Sequence, residues 1–81
     1  MQIEVRLDAR LSGLVGKPRV KVDLADGATV ADLLRRLGET YPGLRPGLTA
    51  ALPLVHGNHA TAEQKLSADE EVALLMPAAG G

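Results

Sequence analysis

Three stretches of this chain hold residue types that do chemistry. His56-Gly57-Asn58-His59 sets two imidazoles three positions apart. A zinc site needs three or four ligands, and no cysteine or acidic residue adjoins the pair, so the Gly and Asn between them read as a turn with incidental histidines and no metal is expected. Asp69-Glu70-Glu71 sets three carboxyls in a row. Acid–base work needs carboxyls in a pocket; neighbours in a polar stretch read as a solvated rim, able to steer a basic partner face. The third stretch is the closing "LLMPAAGG". With average glycine usage, two glycines at the last two positions arise in about 0.5% of chains. A terminal carboxyl titrates near pH ~3.5 and is a poor electrophile once ionised, so chemistry at Gly81 needs an outside activator.

Composition narrows the rest. Eighty-one residues make one domain, and such a domain buries only about 60% of its unfolded surface, which leaves little room for an enzyme cleft. The apolar share is 46%, from Leu, Val and Ala, with Tyr41 as the single aromatic residue. Stacking platforms for single-stranded nucleic acid are therefore missing. Nine basic and ten acidic residues give a net charge of −1, and the densest basic group is the Arg35–Arg36 pair, so no nucleic acid is expected as a direct partner. No cysteine means no disulfide framework, thiolate metal site or cysteine nucleophile. Neither a signal segment nor a membrane-length apolar run is present, and the expected location is cytoplasmic, away from membranes.

Periodicity supplies the elements. "QIEVRLD" alternates, with Ile3, Val5 and Leu7 on one face, and "RVKVDL" alternates again with Val20, Val22 and Leu24 inward. Between them "ARLSGLVGK" reads as a connecting loop that tucks Leu11 or Leu14 against the core, making a hairpin with a long turn. Asp26–Gly27 is a turn, after which Thr29 and Asp32 form a near capping box. Val30, Leu33, Leu34 and Leu37 then make one helical stripe that leaves Arg35 and Arg36 outside, and Pro42 ends the helix near Thr40. "GLRPGLTAA" is mostly loop with a short helical turn, residues 54–56 form a short strand, and Gly57–Asn58 a tight turn. Leu66 plugs the core from a polar loop, and "EVALLM" is the last strand. The order predicts an α+β fold: one main helix across one face of a mixed sheet, the other face toward water. Residues 1–76 form the domain and residues 77–81 an extended, flexible tail reaching at most ~17 Å.

The last strand is apolar on both sides. If Val72 and Leu74 face the helix, Ala73 and Leu75 emerge on the open side. The readings that stand are a fully buried central strand or stray exposed apolar residues, which are normal, against a partner-binding patch beside the tail. Pro77 cannot donate to a ladder, and Ala78, Ala79, Gly80 and Gly81 have minimal side chains that a narrow channel could admit.

Taken together, "DGATVADLLRRL", "VHGN" and "KLSADEEVALLMPAAGG" resemble the MoaD/ThiS family of ubiquitin-like sulfur carriers over essentially the whole chain. The closing run carries most of the specificity: Leu66, the acidic Asp69–Glu70, an apolar strand, Pro77 and Gly80–Gly81. Met76–Pro77 stands where many members have two prolines, Ala68 where many have glycine, and "DARLSGLVG" lacks the aromatic residue common in molybdopterin-synthase members.

The resemblance implies a β-grasp fold and a role for the tail. An E1-like adenylyltransferase of the MoeB/ThiF type, using ATP and Mg, would adenylate the Gly81 carboxylate, and a sulfur donor would convert it to a thiocarboxylate. The chain binds no cofactor and brings no catalytic side chain. The resemblance makes Gly81 the expected reacting group, and Gly80, Ala79, Pro77, Leu75 and Ala73 the expected partner-binding residues. The sulfur goes to a larger synthase subunit of the MoaE type for molybdopterin, or to another acceptor enzyme serving cysteine, thiamine or tRNA thiolation. Attachment of Gly81 to protein lysines uses the same activation. A β-grasp interaction module with an inert tail is the reading from a different class.

Overall fold

Both alternating runs form strands. A computed structural model describes residues 1–77 and places β1 at Gln2–Leu7 and β2 at Arg19–Asp23, antiparallel, with Ile3 opposite Val22 and Val5 opposite Val20. Ile3, Val5, Leu7, Val20 and Val22 are buried on one face, as the alternation requires. Leu24 lies just past β2, partly buried against the same core.

The segment between these strands is a helix, not a loop. Ala9–Val15 forms α1, capped by Asp8, whose side chain accepts from the Leu11 N–H, and closed by Gly16 at φ 75°. Leu11 is fully buried while Leu14 is 49% accessible, which decides between the two candidate plugs. A helix this short is not self-supporting in water; the cap, Gly16 and the burial of Leu11 hold it.

Val30–Thr40 forms α2, and the capping box is complete: Thr29 Oγ1 accepts from the Asp32 N–H, and Asp32 accepts from the Thr29 N–H. The first two helical N–H groups are satisfied from outside, Val30 donating to the Gln64 carbonyl and Ala31 to that of Ala62. The polar stretch before Leu66 thus closes the start of α2, and Leu66 is buried as expected. Past Tyr41 the chain makes a 3-10 turn at Pro42–Leu44 and a short helix α3 at Arg45–Leu48. A Cβ on Gly47 would come within 2.7 Å of Leu11 Cδ2, so a side chain there would force the buried Leu11 to shift where α3 approaches α1.

β3 spans Leu52–Val55 and β4 Asn58–His59. The strand therefore starts two residues earlier than expected and ends one earlier, and the turn is His56–Gly57 rather than Gly57–Asn58. Both turn residues have positive φ, 53° and 78°, as a two-residue hairpin with matching twist demands. Pro53 fits because its one backbone group is used on the side of the short β4, where its carbonyl accepts from Ala60.

β5, Glu71–Leu75, completes a sheet of order β2-β1-β5-β3-β4. β1 and β5 run parallel, and the other pairs are antiparallel. All three helices contribute to one core over one face: Leu11 from α1, Leu33 and Leu37 from α2, and Leu48 at the margin from α3. This is the β-grasp arrangement, α+β with a mixed sheet and one main helix. Among the described residues no helix is long and apolar enough to cross a membrane.

The helical assignment of α1 makes a prediction. Leu11→Ala should cost about 2–5 kcal/mol in urea unfolding, and Leu14→Ala about 1 kcal/mol or less. Equal losses would contradict the burial of one leucine and the exposure of the other.

Candidate functional site

The candidate site is built where β5 ends. Val72 and Leu74 point into the core and are fully buried, leaving Glu71, Ala73 and Leu75 on the open face. Register sets their neighbours: Leu75 opposite Leu52, Ala73 between Leu54 and Arg6, and Glu71 beside Glu4. Leu52 and Leu75 are 41% and 39% accessible and adjacent, an apolar pair at the end of the sheet. Ala73 lies on the same face, but its neighbours leave it only 6% accessible. Ala73 is therefore buried, as a central strand requires, while Leu75 is exposed. Beside Ala73, Arg6, Leu54, His56, Asp69 and Glu71 line a shallow hollow of about 360 Å³.

Toward β2 the open face turns charged. Arg19 reaches Glu4 at 2.8 Å and Glu71 at 3.4 Å, and Arg6 lies 3.9 Å from Glu71. These pairs are solvent-exposed and contribute little stability. They do leave a face with apolar residues on one half and mixed charge on the other.

Asp69-Glu70-Glu71 is not uniformly solvated. Asp69 adopts φ 71° in the turn, and Glu71 joins the arginine network. Glu70 is partly buried, accepting from the Ser67 N–H at 2.5 Å and meeting His56 Nε2 at 2.9 Å. His56 is therefore bound to a carboxylate, and among the described residues no group of three metal-ligating side chains assembles.

Asp8 is the residue that sequence reasoning missed. Its Oδ1 accepts from the Leu11 N–H at 2.9 Å and its Oδ2 from the Met76 N–H at 2.6 Å, while its own N–H donates to the Leu74 carbonyl at 3.2 Å. One residue thus caps α1 and grips the chain on both sides of Leu75. Desolvation is the largest single influence on this carboxyl and pushes it up. The N–H bonds from Leu11, Met76 and Arg10, with the Arg10 charge, outweigh it and hold the group below its ordinary value. The "DARL" spacing, an N-cap residue before an apolar position, was the available signal for the helix. Nothing local signalled the contact with Met76, 68 positions away.

Pro77 is exposed and directly follows this anchor. The expectations for Ala79, Gly80 and Gly81, and the tail beyond Pro77, lie outside the described residues.

A sequence model of the ThiS family matches residues 5–81. The chain belongs to the ThiS family. No curated protein sequence matches it significantly. Among solved structures it is similar to small archaeal modifier protein 1 of Haloferax volcanii, with TM-score 0.90 and 29% identity over all of both chains. It is also similar to a chain in the complex of subunits 1 and 2 of the molybdopterin-converting factor from Helicobacter pylori, with TM-score 0.72 and 18% identity over all of both chains. A chain of the Amycolatopsis orientalis BexX/CysO complex matches with TM-score 0.74 and 19% identity, over 98% of this chain and 99% of that one. At these identities the last two establish the ubiquitin-like fold alone.

As a member of the ThiS family, the chain has a ubiquitin-like sulfur-carrier fold in which one carboxylate ties the end of β5 to the start of α1. Because folding lowers the Asp8 pKa, the unfolded chain binds more protons as pH drops below about 4, the ordinary aspartate value. The stability Asp8 supplies is complete above that pH and is lost as pH falls through its lower folded value. The urea-midpoint gap between the native protein and Asp8→Asn should be widest near neutral pH and narrow below about pH 4. A gap constant across that range would show that the carboxylate contributes nothing through its charge.

Proposed function

We propose that this chain is a sulfur carrier whose reacting group is the Gly81 carboxylate. The observation that carries the reading is the family match running through Gly80 and Gly81, on a sheet whose central strand ends at Leu75 beside an apolar pair. The carboxylate attacks the α-phosphorus of ATP in an E1-like adenylyltransferase, and pyrophosphate leaves. A donor persulfide then attacks the carbonyl carbon, and AMP departs with its electron pair. A second thiol cleaves the resulting acyl disulfide, leaving a thiocarboxylate on Gly81 and a disulfide on the donor. ATP and Mg belong to the partner; this chain supplies the carbonyl carbon and a small-residue path to it, with no Cβ at Gly80 or Gly81 to obstruct close approach.

Docking falls to the open face. Leu75 and Leu52 offer the apolar contact, with Pro77, Ala79 and Gly80 leading into the partner's channel and Ala73 supporting Leu75 from within the strand. The acceptor proposed is a larger synthase subunit making molybdopterin, in line with the subunit 1 and 2 complex from Helicobacter pylori; the BexX/CysO complex supports a different acceptor enzyme at the same level. A second reading, transfer of activated Gly81 to a protein lysine, is favoured by the likeness to a small archaeal modifier protein.

Incubation with a cognate activating enzyme, ATP and a sulfur source tests this. Deleting Gly81, or adding one residue after it, should leave the urea midpoint unchanged and abolish thiocarboxylate formation. An extended, untrimmed chain that still accepts sulfur would sink the reading. Leu75→Asp should raise KM for the activating enzyme by tenfold or more, about 1.4 kcal/mol of lost docking. If Leu75→Asp abolishes activity while the Gly81 deletion is harmless, the chain is an interaction module with an inert tail.

A further inference from the structure

We propose that Asp8 is a positioning residue for the carrier reaction, fixing the direction in which the chain leaves the sheet; the proposal rests on the reading of Gly81 given above. Paired strands hold a segment through alternating backbone bonds, and here that ladder runs out. β1 ends at Leu7, opposite Leu74. The next backbone link is Asp8 N–H to the Leu74 carbonyl. Beyond it, Met76 donates its N–H to a side chain, the Asp8 carboxylate. Pro77 follows and has no N–H to donate, so the Met76 bond is the last backbone donor contact before the tail.

The anchor is itself held firmly. The other Asp8 oxygen accepts from Leu11 at 2.9 Å, and Leu11 is fully buried in the core. The Met76 side chain packs partly buried against the same core, its sulfur 3.6 Å from where a Cβ of Gly47 would stand. Residue 76 is thus fixed by backbone and side chain together, and its reference point is the start of α1. A tail that begins from a fixed residue reaches a partner's channel with fewer conformations to lose than one that begins from a frayed strand end. Misplacing a reacting group by an ångström costs up to about a hundredfold in rate, so the root of the tail bears on turnover as well as stability.

Asp8→Asn separates the two jobs of the carboxylate. Asparagine is as good an N-cap as aspartate, and its single carbonyl oxygen can still accept from Leu11. Its amide NH2 then faces the Met76 N–H, donor against donor. Asp8→Ser, also a good cap but too short to reach Met76, is the second variant. Amide hydrogen exchange of the full chain should show Met76 protected in the native protein and at least about tenfold faster in both variants, with Val5 and Val72 unchanged. With the activating enzyme, well below the melting temperature, kcat for adenylation should fall about tenfold while KM stays within about twofold. Equal Met76 exchange in native and variant chains would overturn the proposal. So would faster exchange with an unchanged kcat, the pattern of a purely structural cap. If no activating enzyme adenylates the native chain, the sulfur-carrier reading fails, and the exchange result alone decides whether Asp8 anchors the tail's root.

Discussion

The parallel pairing of β1 with β5 is the constraint on which the molecule depends. Parallel strands cannot be joined by a tight turn, so everything between Leu7 and Glu71 is the crossover that brings the last strand back beside the first. That crossover has to cover the inner face it creates. It does so with Leu11 from α1, Leu33 and Leu37 from α2, and Leu66 from the loop that also closes the start of α2. Remove the pairing and β5 loses Val5 and Leu7 as neighbours, and the chain past Leu75 has no fixed origin.

A central last strand also explains the asymmetry of the open face. β5 has a charged neighbour in β1 and an apolar one in β3, so Glu71 meets Glu4 and Arg19 while Leu75 meets Leu52. The apolar half lies nearest to where the chain departs. Singly exposed leucines are ordinary in a small domain, and on the proposed reading these give a partner something to cover. The division of labour is then physical. On the proposed reading a sheet supplies the surface, a carboxylate fixes the exit, and small residues beyond Pro77 carry the reacting group.

Much of this was legible in the residues. Alternation in "QIEVRLD" and "RVKVDL" placed two strands and their buried faces, with Leu24 falling just past β2, and the Thr29–Asp32 pair with the 30, 33, 34, 37 stripe placed α2, Leu34 at its partly buried edge. The failures have local causes. α1 is seven residues long with Gly13 in its middle, so its intrinsic propensity is poor; its cap and Leu11 make it a helix only in the folded context. β3 includes Pro53, which argues against a strand until the two-residue length of β4 is known. His56 in a positive-φ position shifted the turn by one residue from where Gly57–Asn58 suggested it. The exposure of Leu75 on the open face was readable from the broken alternation. The shielding of Ala73 depends on its cross-strand neighbours Arg6 and Leu54, and the grip of Asp8 on Met76 joins the two ends of the chain; neither leaves a local trace.

The central claim is that the carboxylate of Gly81 exists to be converted to a thiocarboxylate. The most direct test is the intact mass of untagged protein taken from its native host, before and after alkylation. The expected result is a population heavier by the replacement of one oxygen with sulfur, alkylated once, and absent when Gly81 is deleted. An unmodified mass that persists after incubation with ATP, a sulfur source and the host's activating enzyme would contradict it.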